Sequence, residues 1–341
     1  MNKSTPDQRK EEKETPVSFA SSPSSPSSPS SDFSDQIVLK DPYAVPYQGI
    51  YAICDEKNEV AEIIEHADCY SGACWSLYHY AKSPAVIAAH SYGDFMRYLI
   101  KVGKNSLQLK SSVAAAGFES VIFNSRTNEV QITYVGIGGA GIGATKCRAY
   151  AKGVKKYVIT EAGGGKTASG TICVPRRERV LIAIDDTDSC ETGATWTLTY
   201  NIAKAVDNED AVFLSHSLVQ LFPVPEKTQN CMSVILEFGC TTQEAKEKLI
   251  SQIKDLLLKY SVSPNTGMLV YAGFAVPDAL KEYSENCRKM RMKREDVLKM
   301  TQKYGIQIIL DGNGIIGAMA AFAWVAQPKE SVKPAFDIRS I

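Results

Sequence analysis

The chain has 341 residues, and its 38 lysines and arginines balance 38 aspartates and glutamates. Zero formal charge excludes a globally basic nucleic-acid binder, although a local basic site is still allowed. An apolar content of 44% supplies a large core, and the length implies two domains at about 150 residues each.

Residues 1–41 read as a low-complexity tail, with Ser-Ser-Pro three times over 21–29. Such a segment buries too little apolar surface to offset its ordering entropy. It is expected to be disordered, either simply solvated or offered to a kinase or a partner. Residues 42–175 read as an N-terminal α+β domain. Its predicted strands cover 49–54, 60–66, 86–90, 129–135, 157–160 and 169–174, and its predicted helices 73–82 and 93–102. Ten of the 23 glycines lie between Gly136 and Gly170. The run Pro175-Arg176-Arg177-Glu178 reads as a boundary. Residues 176–328 read as a second domain. An apolar strand over 180–184 has the pattern of one buried on both faces. A helix over 194–206 carries a stripe of Ala194, Leu198, Ile202 and Ala205. Strands follow at 211–221 and 232–238. A helix over 241–260 opens with a Thr241–Glu244 capping box and turns Ala245, Leu249, Ile253 and Leu256 to one side. A strand at 268–273, a charged helix over 279–300 and a strand at 306–310 lead to a glycine turn and an apolar helix. Residues 329–341 form a short tail. The predicted fold class is α+β or mixed α/β, two domains of mixed sheets with helices.

The nine cysteines are odd in number and scattered, and residues 1–13 are charged, without the apolar segment of a secretory signal. Both point to free thiols in a reducing cytoplasm. The apolar run 315–326 falls short of the ~20 residues that cross a bilayer, so no membrane partner is expected.

The sharpest motif is Asp185-Asp186-Thr187-Asp188, directly after the buried strand. Three carboxylates in four residues repel one another, and a loop holds them if a divalent cation neutralises the cluster. Mg²⁺ takes one or two carboxylates together with phosphate oxygens and water, and ligands of α/β sheets sit beyond the carboxyl ends of strands. A solvated acidic turn is the alternative. Gly193 and Thr195 open the next helix, whose free N–H groups favour a phosphate; Thr195 is a hydroxyl ligand, a phosphate acceptor or only a cap. Lys227, in the loop stiffened by Pro223 and Pro225, offers the cation that a triphosphate beside Mg²⁺ needs, unless it is an ordinary hairpin lysine. Gly312, Asn313 and Gly314 form a turn where backbone can approach a ligand closely, or where a helix packs tightly.

These residues give the segment 180–326 a resemblance to the kinase-like domain of archaeal tRNA-isoleucine agmatinylcytidine synthetase. That family carries I-D-D-T-D-S after a first strand, a Thr in the next helix, a proline-flanked K-T loop and G-x-G-x-x-G-x-x-A-A. The counterparts here are 184–189, Thr195, 225–228 and 312–321. The resemblance implies ATP and Mg²⁺, with Asp185, Asp186 and Asp188 on the metal and Lys227, Thr228, Gly312, Asn313 and Gly314 at the nucleotide. It also implies phosphoryl transfer involving Asp186, Lys227 and Thr195. Gln229 stands where an Arg is usual, and the family's OB-like and zinc-ribbon modules have no counterpart before Ile341. Over about 42–326 the chain resembles methanogenesis marker protein 11, an archaeal family of methanogens that joins this domain to a G-x-G-G-A-G-I-G-A-T-K-C-R-A-like segment, here 136–149.

The N-terminal glycines allow several readings. Gly136, Gly138 and Gly141 match G-x-G-x-x-G with Glu161 placed for a ribose, which suggests NAD or FAD; a phosphate-cradling or packing turn is the stronger reading. Gly163–165 with Lys166 lacks the spacing of a P-loop, leaving a lid that closes Lys166 on phosphate or a solvated hairpin. Gly72-Ala73-Cys74-Trp75 only partly matches a papain-like signature, and His66, Cys69, Cys74 and His79 fit no zinc spacing. The function expected is ATP- and Mg²⁺-dependent phosphoryl transfer or ATP-driven synthesis on an unidentified acceptor. The alternatives are a nucleotide-binding assembly factor with a methanogenesis protein as partner, or a tRNA-modifying enzyme using basic runs at 176–179 and 288–294.

Overall fold

The structure is a computed structural model that describes residues 38–337 and 339. The expected disorder of the Ser/Pro tail therefore falls almost wholly outside the described residues. Residues 38–42, at the end of a unit spanning Met1–Pro42, carry no helix or strand. All the described helices and strands belong to the second unit, Tyr43–Ile341.

The N-terminal half is a curled sheet. β1 (Gly49–Asp55) and β2 (Val60–His66) form a hairpin, followed by α1 (Tyr70–Tyr80), β3 (Val86–Tyr92) and β4 (Phe95–Lys101). The sequence predicts a helix over 93–102; the chain instead turns back at Gly93, with φ 56, and β4 pairs with both β2 and β3. Met96, Tyr98 and Ile100 face the core, while Arg97 points to the other side and is equally buried. Burial on both faces erases the alternation that marks a half-exposed strand. Next come β5 (Gly103–Lys104), β6 (Ala116–Asn124), which the sequence reading lacks, and β7 (Glu129–Ile137). A four-residue helix, α2 (Gly139–Ile142), runs into a π-helix (Gly143–Cys147), and β8 (Lys156–Ile159) follows.

β9 (Thr167–Asp185) crosses the seam expected at Pro175 as one extended strand. Its first part pairs with β7 and β8, Arg176 and Arg177 pair in parallel with β1, and its last part pairs with later strands. Pro175 sits where one set of partners ends and the next begins, a position that tolerates its missing N–H. In the basic run beside it Arg177 and Arg179 are buried and Arg176 is partly exposed. Arg177 donates to Gly239 O and Glu209 O, Arg179 pairs with Glu237 and Glu62, and Arg176 pairs with Glu56.

The C-terminal half contains α3 (Thr195–Val206), β10 (Ala211–Gln220), β11 (Met232–Cys240), α4 (Gln243–Tyr260) and β12 (Gly267–Ala272). It continues with α5 (Asp278–Cys287), α6 (Arg294–Tyr304), β13 (Gln307–Asp311), α7 (Ile315–Ala321) and α8 (Pro328–Ser331). The strands lie in the antiparallel order β10-β11-β9-β12-β13. Val180, Ile182 and Ile184 pack under α3 and α4; Leu181 and Ala183 pack under α5 and α7. Both faces of β9 are buried here, as its unbroken apolar run predicts.

Three helix details differ from expectation. α3 buries Thr195, Thr199, Ile202, Ala203 and Val206, so its inner face is rotated towards two threonines. α4 is capped by Thr242, whose hydroxyl accepts from Ala245 N, one residue later than expected. The charged helix over 279–300 is two helices, broken over residues 288–293, and the break lines the candidate site. Among the described residues no helix is long and apolar enough to cross a membrane.

Candidate active site

β9 ends at Asp185, opposite Gly267 of β12, and Gly267 in turn pairs with Asp311 of β13. The turn after Asp311 therefore folds over the end of β9. Its fit requires bare backbone. A Cβ on Gly314 would lie 2.6 Å from Asp185 O, and one on Gly317 would lie 1.9 Å from Asp185 Oδ2. The Asp185 carboxylate thus rests against the first turn of α7.

Asp186 turns the chain with φ 55, and its N–H donates to Asp185 Oδ1 at 2.8 Å. Thr187 is buried, and both its N–H and its hydroxyl donate to Thr195 Oγ1, at 3.2 and 3.1 Å. Thr195 Oγ1 donates to Asp188 Oδ1 at 3.4 Å, and Thr228 Oγ1 donates to the same oxygen at 2.8 Å. Thr195 is therefore not the cap of α3, a position held by Ala194. Gln229 Nε2 donates to Ser189 O at 2.8 Å and to Gly193 O at 3.1 Å, and Lys227 Nζ donates to Gln229 O at 2.8 Å. Thr228 and Gln229 strap the proline-flanked loop to the acidic loop.

This assembly walls a cavity of about 570 Å³ that includes Asp185, Asp186, Lys227, Asn313 and Gly317. Its far wall is the break between α5 and α6, with Arg291, Lys293 and Arg294. Arg294 pairs with Asp311 and donates to Gly312 O at 3.2 Å, fixing the glycine turn. Arg291 pairs with Glu226 at 2.5 Å. The sequence shows only a charged run at 288–294; a break in helical periodicity after Cys287 was the signal available.

Burial, with the charges of Asp186 and Asp188, holds the Asp185 carboxyl well above the usual carboxylate range. Burial and Asp188 push Asp186 up to about 6. Neither makes an ion pair with a cationic side chain. Two adjacent, uncompensated carboxylates at a cavity wall are a hard-oxygen donor set of the kind that shares a divalent cation with phosphate oxygens. Among the described residues no group of three or more His, Cys, Asp or Glu is arranged to hold a metal by itself. Asp188 is tied to Thr195 and Thr228 instead.

The N-terminal candidates lie elsewhere. Lys166 pairs with Glu161 at 2.9 Å, both exposed, just before β9 begins. Asp185 ends the same 19-residue strand. At ~3.3 Å per residue that strand runs about 60 Å along the chain, and Lys166 does not line the cavity at Asp185. Gly138 borders a second cavity, and Gly141 packs on Ala168. The dinucleotide reading fails because α2 has four residues, Glu161 is held by Lys166, and the only parallel pairing among the described strands is β1 with β9. His79 Nδ1 accepts from Ala115 N, and His66 pairs with Asp94, so neither histidine joins a zinc cluster.

The TiaS TCKD domain profile matches residues 181–310, which supply most of this cavity's wall but not Asn313, Ile316 and Gly317. The tRNA-isoleucine 2-agmatinylcytidine synthetase TiaS of Cenarchaeum symbiosum is 26% identical over 150 residues, covering 43% of this chain and 33% of the synthetase. A crystal structure of TiaS in complex with its tRNA and ATP matches with a TM-score of 0.38 at 22% identity, over 43% of this chain and 36% of that one. A crystal structure of a tRNA fluorescent labeling enzyme matches with a TM-score of 0.39 at 23% identity, over 42% and 36%. The chain thus spans about a third of the length of the synthetase relatives. Uncharacterized protein MJ0921 of Methanocaldococcus jannaschii is 37% identical over 302 residues, covering 87% of this chain and 99% of that protein. The chain belongs to the family of this Methanocaldococcus jannaschii protein, and its C-terminal half carries a TiaS TCKD domain.

Proposed function

We propose that the acidic cavity binds ATP with Mg²⁺ and that the chain is a cytosolic ATP-dependent enzyme, transferring a phosphoryl group to an acceptor or activating it for synthesis. The observation that carries this reading is the convergence of Asp185 and Asp186, Lys227 and the Asn313–Gly317 turn on one cavity. Asp185 and Asp186 would hold Mg²⁺, which when bound supplies neutralising charge to the phosphates. Lys227 places a cation at the same wall, where developing phosphoryl charge needs it. Thr195 and Thr228 act through Asp188 as positioning residues. Gly312 and Gly314 let the turn pack on Asn265 and on the end of β9, which brings Asn313 to the nucleotide, and Gly193 lies beside Asp188 just before α3. In this reading residues 176–328 are the nucleotide-handling half, residues 42–175 serve the acceptor, and the family is methanogenesis marker protein 11. The TiaS TCKD match favours one second reading, in which the acceptor is a tRNA.

Isothermal titration of the full chain with ATP and Mg²⁺ tests the site. Saturable binding is expected, weakened at least about tenfold (~1.4 kcal/mol) in Asp185→Asn and in Lys227→Ala. A silent wild-type trace, or equal binding by both variants, overturns the proposal. Release of ADP or of AMP on incubation with a candidate acceptor then separates a kinase from a synthetase.

A further inference from the structure

The N-terminal half holds a second cavity of about 750 Å³, within the ~300–1,000 Å³ of ordinary ligand sites. Its wall is mostly apolar and aromatic. Trp75 lines it, its ring tilted 38° against the His79 ring with centroids 4.0 Å apart and 44% of the residue exposed. Tyr47 lines it too, its hydroxyl 3.0 Å from Ser76 Oγ and its ring 4.7 Å from the Arg148 guanidinium. Arg148 is itself clamped by both Glu65 oxygens, at 2.7 and 2.8 Å, and by the Tyr80 ring at 4.2 Å. That aromatic wall is braced from behind.

Three backbone irregularities meet at the same cavity. Ser112 has φ 66, Gly138 has φ 64, and the π-helix of residues 143–147 contributes Gly143 and Cys147 to the wall. A non-glycine residue in the left-handed region costs about 1–3 kcal/mol, and π-helical turns concentrate at functional sites. The described lining contains no lysine or arginine, and its charged residue, Asp68, accepts from Gln48 Nε2 at 2.8 Å. A phosphate has no cation to meet here, whereas a flat ring has an indole to stack on and the hydroxyls of Ser111 and Ser112 for its polar edge.

We propose that this cavity is a second ligand site, taking an uncharged, flat heteroaromatic ring presented either by a free small molecule or by an unstacked base of an RNA. Base stacking on an aromatic side chain is worth ~1–3 kcal/mol, enough to make Trp75 the main contact.

The test is saturation-transfer NMR on the full chain with quinoline and the four ribonucleosides as probes, and separately with a single-stranded RNA oligonucleotide. Trp75→Ala removes the stacking face at a part-exposed position. Gly139→Leu puts a side chain on the cavity wall at a position where a Cβ meets nothing within 4 Å. At least one probe is expected to saturate the wild type and to weaken tenfold or more in both variants, with both still unfolding cooperatively and the ATP titration unchanged. Variant-sensitive binding of nucleosides or quinoline alone assigns a free ligand; variant-sensitive binding of the oligonucleotide assigns an RNA base. No saturation by any probe, or binding that both variants retain, overturns the proposal. The ATP titration reads the other cavity, so the two proposals fail separately.

Discussion

Asp186→Asn exchanges a carboxylate for an amide of nearly the same shape, and Asn tolerates the left-handed backbone that Asp186 adopts at φ 55. Burial and the Asp188 charge push the Asp186 carboxyl from its ordinary 3.8 up to about 6. A folded-state value above the unfolded one means that the fold holds the proton more tightly than the unfolded chain does. The neutral form is therefore favoured by folding below pH ~4, and that advantage is lost as pH rises to about 6. About two pKa units at 1.36 kcal/mol each give ~3 kcal/mol, and screening of a half-buried group reduces this to about 1–3 kcal/mol. His216 works in the opposite sense: burial pushes its imidazole down to about 4, so stability rises with pH between there and 6.5. That contribution is common to both proteins and cancels in their difference. Urea unfolding of wild type and variant in EDTA, from about pH 4 to 7.5, reads the difference. The variant should be more stable by about 1–3 kcal/mol at neutral pH, converge with wild type near pH 4, and lose ATP–Mg²⁺ binding. A variant less stable than wild type at neutral pH, or a gap that ignores pH, refutes the account of Asp186 as an uncompensated carboxylate.

Gly317→Ala normally adds about 1 kcal/mol to a helix, but the new methyl would fall 1.9 Å from Asp185 Oδ2. Displacement of that carboxylate should weaken ATP–Mg²⁺ binding at least about tenfold with no gain in melting temperature; tighter binding or clear stabilisation contradicts the packing described. Burial pushes the Glu237 carboxyl up, yet the Arg97 and Arg179 charges overcome it and hold it down to about 2. Its contribution is therefore present above the unfolded value near 4.3 and lost as pH falls towards about 2. Glu237→Gln should cost about 2–4 kcal/mol in urea unfolding at neutral pH, because two buried guanidinium groups lose one of the two carboxylates they share and keep only Glu62. A cost within ~0.5 kcal/mol would mean the cluster is solvated.

The elements with uninterrupted chemistry are legible in the sequence. β2 spans the predicted residues, and the apolar run 180–184 is the doubly buried part of β9. The acidic loop, the proline loop and the glycine turn are legible as motifs because crowded like charge and glycine both need a reason. Their meeting is not, because it depends on the register that sets Asp185 beside Gly267 and Gly267 beside Asp311. β4 escapes a sequence reading because Arg97 is buried in an ion cluster, where a charge normally marks the outside. The same confusion hides Arg177 and Arg179, whose partners lie about 30 to 120 residues away in sequence and leave no local signature. Gln229 looks like a defect in a motif, and only its hydrogen bonds to Ser189 and Gly193 show it joining two loops.

β9 also limits what the two halves can do together. The glycine loop is tied to its start, where Ile137 pairs with Thr167 and Gly138 N donates to Lys166 O, while the acidic cavity is built on its end. A strand of 19 residues runs up to ~60 Å along the chain, the two cavities share no lining residue, and pairing to β7, β1 and β11 along the way braces the strand between them. A small ring bound near Trp75 therefore cannot be the group that receives a phosphoryl from a nucleotide at Asp185 in the same chain. If both cavities serve one reaction, the acceptor must be long enough to occupy the two at once, as a folded RNA is, or a second copy must bring its own cavity alongside. A free small ligand near Trp75 would instead act as an effector or a separate substrate, which gives the oligonucleotide arm of the NMR experiment its mechanistic weight.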